Sequence, residues 1–365
     1  MAWAPLNPMQ YILAIPAGLL LLISIVNFFS IRTPWQSSII EESISVLIPL
    51  RNESENIEQL VASLHNQVNL TKVEFLLLND NSDDQTLSLL NQHCAGKENF
   101  KVLSGSELAN GWIGKVWALQ QLYEISTGDI IVSVDADVRL DREAISKAVT
   151  LIKATGLDFL SPYPKQLANT WSEKLIQPLL QWSWMSTLVL RIAEKSSRPS
   201  MVVANGQFFL VRRKALEEIG GYKNVAHDVL DDIELGRELV RHGFHGCVAD
   251  GSRIATTHMY SSWKEIQAGY GKSLHCAFGS LFGALFAIIF IFLTGVAPLI
   301  SGLSGSHIGW YAYAALCLTR TLSAIKVGKS GLDAFLHPIS SLLLIYLIVY
   351  SWVMRGEIKW KGRTV

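Results

Sequence analysis

The chain has 365 residues, half of them hydrophobic and 17% charged, and its mean hydropathy is +0.28. This composition is more apolar than that of an ordinary soluble enzyme. Lysine plus arginine equals aspartate plus glutamate at 31 each, so the net charge gives no support to a nucleic-acid partner. The four cysteines lack C-x-x-C spacing, which argues against a disulfide framework and a zinc site.

The first predicted element is an uncharged apolar run at residues 11–31. It is long enough to cross about 30 Å of hydrocarbon. No basic segment precedes it and no small-residue cleavage site follows, so residues 1–35 are predicted to be a retained anchor rather than a signal peptide. Arg32 follows the run, which places the next segment in the cytoplasm.

A globular pattern extends over residues 43–275. Short apolar runs typical of strands lie at residues 44–50, 73–79, 101–103 and 129–134. Stretches typical of helices lie between them, at residues 55–66, 86–93, 115–125 and 142–154. This alternation predicts an α/β domain with a mostly parallel sheet. Ligands of such sheets bind beyond the carboxyl ends of the strands.

Residues 276–365 form a second apolar region, with predicted spans at 281–300 and 336–354 and a weaker one at 310–318. We therefore expect a multi-pass protein of the cell membrane with a cytoplasmic catalytic domain. Four spans would place the C-terminal tail outside, yet its basic residues favour the inside: Arg355, Lys359, Lys361 and Arg363. The number of C-terminal spans stays open.

Residues 171–191 combine many apolar side chains with polar ones such as Gln177, Gln181 and Ser183. This mixture favours a helix that lies on the membrane surface. In sequence it belongs to the predicted globular domain. A helix buried in the soluble core is the alternative.

Asp135 and Asp137 follow the apolar strand at residues 130–134. An Asp-x-Asp at the carboxyl end of a strand offers hard oxygen ligands to a divalent cation that bridges two phosphates. Such a cation would stabilise the charge on a leaving nucleoside diphosphate. A surface turn is the less specific alternative.

Asp80 ends the second predicted strand and precedes Asp83 and Asp84. A carboxylate there is suited to accept a hydrogen bond from the imide N–H of uracil, while Asp83 and Asp84 are expected to cap the helix near Thr86. The segment 111–115, GWIGK, leads into another helix. Its glycines allow a close backbone approach and Lys115 adds charge for phosphate.

Asp231 and Asp232 precede a predicted helix at residues 235–241. Attack by a hydroxyl on an anomeric carbon needs a carboxylate that takes the proton, and this pair would provide one as base and one as support. Helix capping is the alternative, and Asp228 and Glu234 are the competing acids. His227 and His258 have no partner at metal-ligand spacing and are expected to be structural.

Together these motifs resemble glycosyltransferase family 2, inverting enzymes with a GT-A fold, over residues 44–275. The matching segments are VLIPLRNE at 46–53, NDNSDD at 79–84, DAD at 135–137, NGQ at 205–207 before Arg212 and Arg213, GGY at 220–222, and LDD at 230–232. The anchor, the GWIGK segment and the C-terminal spans are most similar to carotenoid- and hopanoid-associated members; ceramide glucosyltransferase is a more distant relative.

The resemblance implies a nucleotide-sugar donor, UDP-linked by the role of Asp80, and a lipid-like acceptor. It implies Mn²⁺ or Mg²⁺ at Asp135 and Asp137, with Asp232 as general base supported by Asp231. The implied donor-binding residues are Pro49, Arg51, Glu53, Asp80, Lys115, Asp135, Asn205 and Gly206.

One departure from the family concerns the Gln-x-x-Arg-Trp motif of processive and ceramide-type members. Gln267 and Tyr270 are present, but the Arg-Trp pair is absent. This argues against a processive synthase and leaves Lys272 as a candidate replacement cation. Two alternatives to a lipid glycosyltransferase stay open: a polyprenyl-phosphate sugar transferase, and a non-catalytic membrane subunit that binds nucleotide-sugars.

Overall fold

The computed structural model describes residues 8–355, 359–360 and 363–364. These residues form two compact units whose segments interleave along the chain. The α/β unit comprises Ile31–Leu167 and Arg191–Met259. The helical unit comprises the described residues of Met1–Ser30, Ala168–Leu190 and Tyr260–Val365. The sequence predicted three contiguous parts: an anchor at residues 1–35, a catalytic domain at 43–275 and a C-terminal membrane region at 276–365. These limits stay a prediction.

The α/β unit contains ten strands. They are β1 Ile40–Leu50, β2 Leu70–Asn79, β3 Phe100–Ser104, β4 Ile130–Val134, β5 Val138–Leu140, β6 Phe159–Tyr163, β7 Lys165–Gln166, β8 Phe208–Arg212, β9 Gly246–Asp250 and β10 Ala255–Thr257. Seven of them form one sheet in the order β3-β2-β1-β4-β8-β6-β9, and β5-β10-β7 form a small second sheet. Two further short strands near the C-terminus pair with each other, β11 Lys359–Trp360 and β12 Arg363–Thr364.

The helices follow in chain order. They are α1 Pro8–Ser30, α2 Ile57–His65, α3 Thr86–Cys94, α4 Gly114–Ile125, α5 Ala144–Thr155, α6 Trp171–Thr187, α7 Leu190–Ala193, α8 Arg213–Glu218, α9 Asp231–Arg241, α10 Trp263–Ala277, α11 Leu281–Gly295, α12 Ala297–Leu303, α13 His307–Lys326 and α14 His337–Val353. Short 3₁₀ turns lie at Pro199–Met201, Lys223–Val225 and Leu332–Leu336. The four strands and four helices predicted within residues 44–154 are confirmed to within a few residues.

The central strand β1 is parallel to both of its neighbours, β2 and β4. Its alternate side chains supply the two faces of the sheet, as the period of a strand requires. Val46 and Ile48 pack in the layer that includes α2 and α5, and Leu47 packs in the layer that includes α4 and α9. Full burial of one such side chain contributes about 1.5–3 kcal/mol. The sheet is mostly parallel, as predicted.

Strand β8 is the exception, because it runs antiparallel between β4 and β6. Phe208 lies opposite Val134, so the residues before β8 meet the residues after β4 at one edge of the sheet. The sequence pattern did not reveal this reversal. It has a functional consequence, since it brings segment 205–207 beside Asp135.

The helical unit contains three helices that are long and apolar enough to cross a membrane: Gln10–Ser30, Leu281–Leu303 and Leu332–Val353. They match the predicted spans at 11–31, 281–300 and 336–354. Their outward surfaces are strongly apolar, and Phe29 and Phe282 are more than four-fifths exposed. The weaker predicted stretch, 310–318, lies inside α13. Lys361, one of the basic tail residues, lies outside the described residues.

Helix α6 belongs to the helical unit. Its start is fixed by reciprocal hydrogen bonds between Thr170 and Glu173, a capping box. The indole N–H of Trp182 donates to Thr319 Oγ1 at 2.7 Å, and the Asn27 amide donates to Met185 O at 2.9 Å. The helix thus packs against α1 and α13, and its position on the membrane stays a prediction.

Candidate active site

The site forms where β1, β2 and β4 end together. Asn79, the last residue of β2, lies opposite Leu50 at the end of β1. The next backbone N–H, that of Asp80, donates to Leu50 O at 2.7 Å. Asp80 is consequently buried at the carboxyl edge of the sheet, with 3% of its surface exposed. This is the edge at which the sequence predicted a ligand.

Arg51 holds the loop after β2. Its Nη1 donates to the carbonyl oxygens of Asp80 and Asn81, each at 2.7 Å. Asn52 and Asn81 both adopt left-handed backbone conformations, which asparagine tolerates better than most residues. The predicted donor residue Arg51 therefore acts on Asp80 through the backbone.

The acids after Asp80 have different partners. Asp84 Oδ1 accepts the backbone N–H of Thr86 at 2.9 Å, so Asp84 caps α3 as predicted. Burial raises the pKa of Asp84, but hydrogen bonds from Thr86 and Ser54 outweigh it and lower the pKa to about 2. Asp83, also expected to cap, is instead largely exposed and lies 3.7 Å from Arg51 Nη2.

Two other residues named by the resemblance have structural contacts. Pro49 lies within β1 opposite Leu78. Glu53 Oε2 accepts a hydrogen bond from Asn56 Nδ2 at 2.8 Å, and its backbone N–H donates to Thr86 Oγ1 at 2.8 Å. Pro49 thus belongs to the strand that leads to the site, and Glu53 stabilises the loop that follows it.

Asp135 and Asp137 directly follow β4. The Asp135 backbone N–H donates to Gln207 O at 3.1 Å, and Asp137 Oδ2 accepts the Thr257 hydroxyl at 2.9 Å. The Gln207 amide completes a buried network, because it donates to Thr257 Oγ1 at 3.4 Å and accepts from Gln166 Nε2 at 2.7 Å. Thr257 and Gln166 had no predicted role, because they lie far from Asp137 along the chain; both belong to the second sheet.

The two acids suit a hard divalent cation. Burial, followed by the charge of Asp135, raises the pKa of Asp137 to about 6. Negative charge concentrated in this way favours a cation. Among the described residues there is no group of three or more His, Cys, Asp or Glu side chains that could hold a metal by themselves. Mn²⁺ or Mg²⁺ would therefore need further oxygen ligands, which a diphosphate supplies.

Lys115 is placed by the glycine-containing segment before α4. Gly111 has a φ of +81°, and a Cβ there would lie 2.8 Å from His227 Cε1, so only glycine fits. The Ile113 N–H donates to Ala226 O at 2.8 Å. These contacts bring Lys115 Nζ to 2.8 Å from Asp135 Oδ1. Burial lowers the pKa of Lys115, but the charges of Asp135, Asp231 and Asp232 together raise it above its ordinary value.

Asp232 lies in the first turn of α9, and both of its oxygens accept backbone hydrogen bonds. Oδ2 accepts the N–H of Gly206 at 2.5 Å, and Oδ1 accepts that of Ile233 at 2.8 Å. Burial, followed by the charge of Asp231, raises the pKa of Asp232 to about 6, although Lys115 opposes this shift. A carboxylate with a pKa close to neutrality is suited to general base chemistry.

Gly206 lies close to both Lys115 and Asp232. A Cβ on Gly206 would lie 3.1 Å from Lys115 Nζ and 3.2 Å from Asp232 Cβ. Its neighbour Asn205 is held by Ser161, whose hydroxyl accepts the Asn205 N–H at 2.8 Å. Lys115, Asp135, Gly206 and Asp232 are therefore brought together, and Asp80 lies at the same edge of the sheet.

The competing acids are placed differently. Glu234 forms an ion pair with Arg237, one turn along α9. Burial raises the pKa of Asp228, and the charge of Glu234 adds to this effect. The His227 ring packs on Gly111, in agreement with a structural role. In the helical unit, Gln267 donates to Tyr346 Oη at 2.6 Å. A contact of Lys272 with the donor stays a prediction.

The fold is that of the GT-A glycosyltransferases. A mannosyltransferase from Pyrobaculum calidifontis, solved in complex with GDP-Man and Mn²⁺, superposes with a TM-score of 0.59. The alignment covers 93% of this chain and 99% of that one, at 16% sequence identity. At this low sequence identity, the structural similarity shows the fold class alone.

Sequence comparison finds one matching family and several similar enzymes. Residues 45–220 match glycosyl transferase family 2, so over that range the chain is similar to this family of enzymes. A relative from Staphylococcus haemolyticus, a 4,4'-diaponeurosporenoate glycosyltransferase, is 25% identical over 353 residues. Its counterpart from Staphylococcus aureus strain USA300 is 23% identical over 339 residues. Each alignment covers 88% of both chains. Similarity to enzymes over most of the chain argues against the non-catalytic subunit considered above.

Proposed function

We propose that this glycosyltransferase moves a sugar from a nucleotide-diphosphate sugar, UDP-linked, onto a hydroxyl of an isoprenoid or other lipid acceptor. The transfer inverts the anomeric carbon. It takes place at the cytoplasmic face of the cell membrane, in which the chain is held as a multi-pass protein by its three apolar helices.

The observation that carries the proposal is the environment of Asp232. Its two oxygens accept the N–H groups of Gly206 and Ile233, which fix the carboxylate in one orientation. Lys115 and Gly206 connect it to Asp135 at the end of β4. A base in a fixed position beside a cation-binding acid is the arrangement that direct displacement at an anomeric carbon requires.

The donor is assigned to the edge formed by β1, β2 and β4. Asp80, buried there, would accept the imide N–H of uracil. Asp135 and Asp137 would hold Mn²⁺ or Mg²⁺, which when bound stabilises the negative charge of the departing diphosphate. The fold neighbour in complex with GDP-Man and Mn²⁺ supports a metal-bound nucleotide-sugar. Because that ligand is a guanosine nucleotide, the choice of UDP depends on Asp80.

The acceptor class follows from the relatives and from the apolar helices. The Staphylococcus relatives are 4,4'-diaponeurosporenoate glycosyltransferases. Those names support a carotenoid-type acceptor for this chain. Exposed apolar side chains such as Phe29 and Phe282 support contact with membrane lipid, where such an acceptor resides.

In the proposed reaction, Asp232 removes the proton from the acceptor hydroxyl. The acceptor oxygen forms a bond to the anomeric carbon as the bond from that carbon to the diphosphate oxygen breaks. The leaving nucleoside diphosphate takes the bonding electron pair, and the proton stays on Asp232 until solvent removes it. Asp231 supports the base electrostatically, since its charge raises the pKa of Asp232.

Asp232→Asn tests the proposal. The amide keeps the size of the side chain but cannot take a proton, so we expect transfer to fall about 10²–10⁴-fold. Donor affinity should change little. The matched control is Asp141→Asn, at an exposed aspartate before α5, which should behave as wild type. Transfer to a carotenoid-type acceptor and binding of UDP-sugar are measured separately.

A near-wild-type transfer rate in Asp232→Asn would remove the base assignment. If that variant transferred at the wild-type rate to a polyprenyl phosphate, the polyprenyl-phosphate transferase would be the better description, because a phosphate acceptor needs no strong base. Tight binding of GDP but not UDP would overturn the uracil role of Asp80.

A further inference from the structure

Lys115 occupies an unexpected position. The sequence predicted that it would face a phosphate, but its Nζ lies 2.8 Å from Asp135 Oδ1. The Lys115 side chain is one-third exposed and that of Asp135 about one-quarter. A charge-assisted hydrogen bond therefore joins this lysine to an acid that the proposed function assigns to a metal.

The same ammonium group also faces the proposed base. The Cβ position of Gly206 lies 3.1 Å from Lys115 Nζ and 3.5 Å from Asp232 Oδ2. Lys115 therefore lies between the acid that follows β4 and the acid on α9. Its positive charge offsets negative charge from both.

Lys115 and a divalent cation would compete for the negative charge of Asp135. Because the ammonium group lies 2.8 Å from Asp135 Oδ1, a cation held by the same carboxylate would be close to it, and the two positive charges would repel. Because lysine has a flexible four-carbon stem and this side chain is partly exposed, it can leave Asp135 by changing rotamer.

We propose that Lys115 is a resident counter-ion that holds Asp135 in the donor-free enzyme and moves to the diphosphate when the metal-bound donor arrives. This inference rests on the proposed function for the identity of the incoming ligand. Two consequences follow. The donor-free enzyme binds a divalent cation weakly, and nucleoside diphosphate strengthens cation binding because it draws Lys115 away. By linkage, the cation strengthens nucleotide binding by the same factor.

Mn²⁺ binding to the full-length protein in detergent tests the inference without any activity assay. Free Mn²⁺ is followed by electron paramagnetic resonance, with and without UDP. In Lys115→Met we expect about tenfold tighter Mn²⁺ binding without UDP than in wild type, a change equivalent to about 1.4 kcal/mol. The increase caused by UDP should shrink, since no lysine remains to be displaced. Lys147→Met, which removes a partly buried lysine paired with Glu143 far from the proposed site in sequence, is the matched control.

The inference is overturned if Lys115→Met, at a wild-type melting temperature, binds Mn²⁺ no more tightly than wild type without UDP. Lys115→Arg decides the matter if the methionine variant does not fold. Arginine keeps the positive charge and can form two hydrogen bonds to a carboxylate, so Mn²⁺ binding should be no tighter than in wild type. Tighter binding would contradict the inference. Failure of wild type to bind Mn²⁺ even with UDP would instead overturn the proposed function.

Discussion

The backbone N–H of Gly206 donates to Asp232 Oδ2 at 2.5 Å and so joins two segments that are 26 residues apart in sequence. This bond connects the start of β8 to the first turn of α9. It also fixes the distance from the proposed base to β4, because β8 is paired with β4 along its whole length. The position of Asp232 thus depends on the one strand of the main sheet that runs antiparallel to both of its neighbours.

Gly206→Ala should impair transfer without unfolding the protein. The added methyl would lie 3.2 Å from Asp232 Cβ and 3.1 Å from Lys115 Nζ, so both side chains must shift by a few tenths of an ångström. We expect kcat/KM to fall about 10²-fold, as small misplacements of catalytic groups do. Gly18→Ala, where a Cβ has open space, is the control. Unchanged kinetics in Gly206→Ala would show that the position of Asp232 is not critical.

The pH profile of transfer should report Asp232. The base works only when ionised, and burial with Asp231 raises its pKa to about 6. The value of kcat/KM should therefore rise about tenfold per pH unit below pH 6 and level off above pH 7. Asp137 also has a raised pKa, so the profile is measured with saturating Mn²⁺, which favours the ionised form of that acid.

In Asp231→Asn the profile should move to lower pH, because the neighbouring charge that raises the pKa of Asp232 is removed. A profile that does not shift would mean that another group limits the reaction. A shift to higher pH would contradict the assignment directly.

Thr257→Val should weaken cation binding. The Thr257 hydroxyl donates to Asp137 Oδ2 at 2.9 Å and is buried, so valine removes the group that orients the carboxylate. Loss of such a supporting bond costs about 10–100-fold in metal affinity. Thr155→Val, whose hydroxyl bonds to carbonyl oxygens of its own helix, serves as control. Mn²⁺ affinity is measured in the presence of UDP, and equal affinities for the two variants would contradict the role of Thr257.

Arg51→Met should weaken donor binding more than it slows transfer. The Arg51 guanidinium donates hydrogen bonds to the carbonyl oxygens of Asp80 and Asn81, which a methionine side chain cannot do. We expect the donor KM to rise about tenfold, since each lost bond to a charged donor contributes about 1.5–3 kcal/mol before the loop relaxes. Arg142→Met, at an exposed arginine, is the control. An effect confined to kcat would place Arg51 elsewhere in the mechanism.

The sequence alone determined the local structure and the order of the acids. Apolar runs of strand length fixed β1 to β4, and parallel strands must end at a common edge, so Asp80 and Asp135 were placed correctly. The three apolar spans were equally evident, because length and composition suffice to predict them. These features depend on neighbours in the chain, which the sequence displays directly.

Only the tertiary structure decided which distant groups meet. The reversed strand β8 brings Gly206 to Asp232, the second sheet brings Thr257 to Asp137, and the loop packed on His227 brings Lys115 to Asp135. Helix α6 likewise packs with α1 and α13 through contacts that its own sequence did not reveal. Such contacts join residues far apart in the chain. They depend on the complementary packing of whole elements, which the periodicity of one segment does not specify.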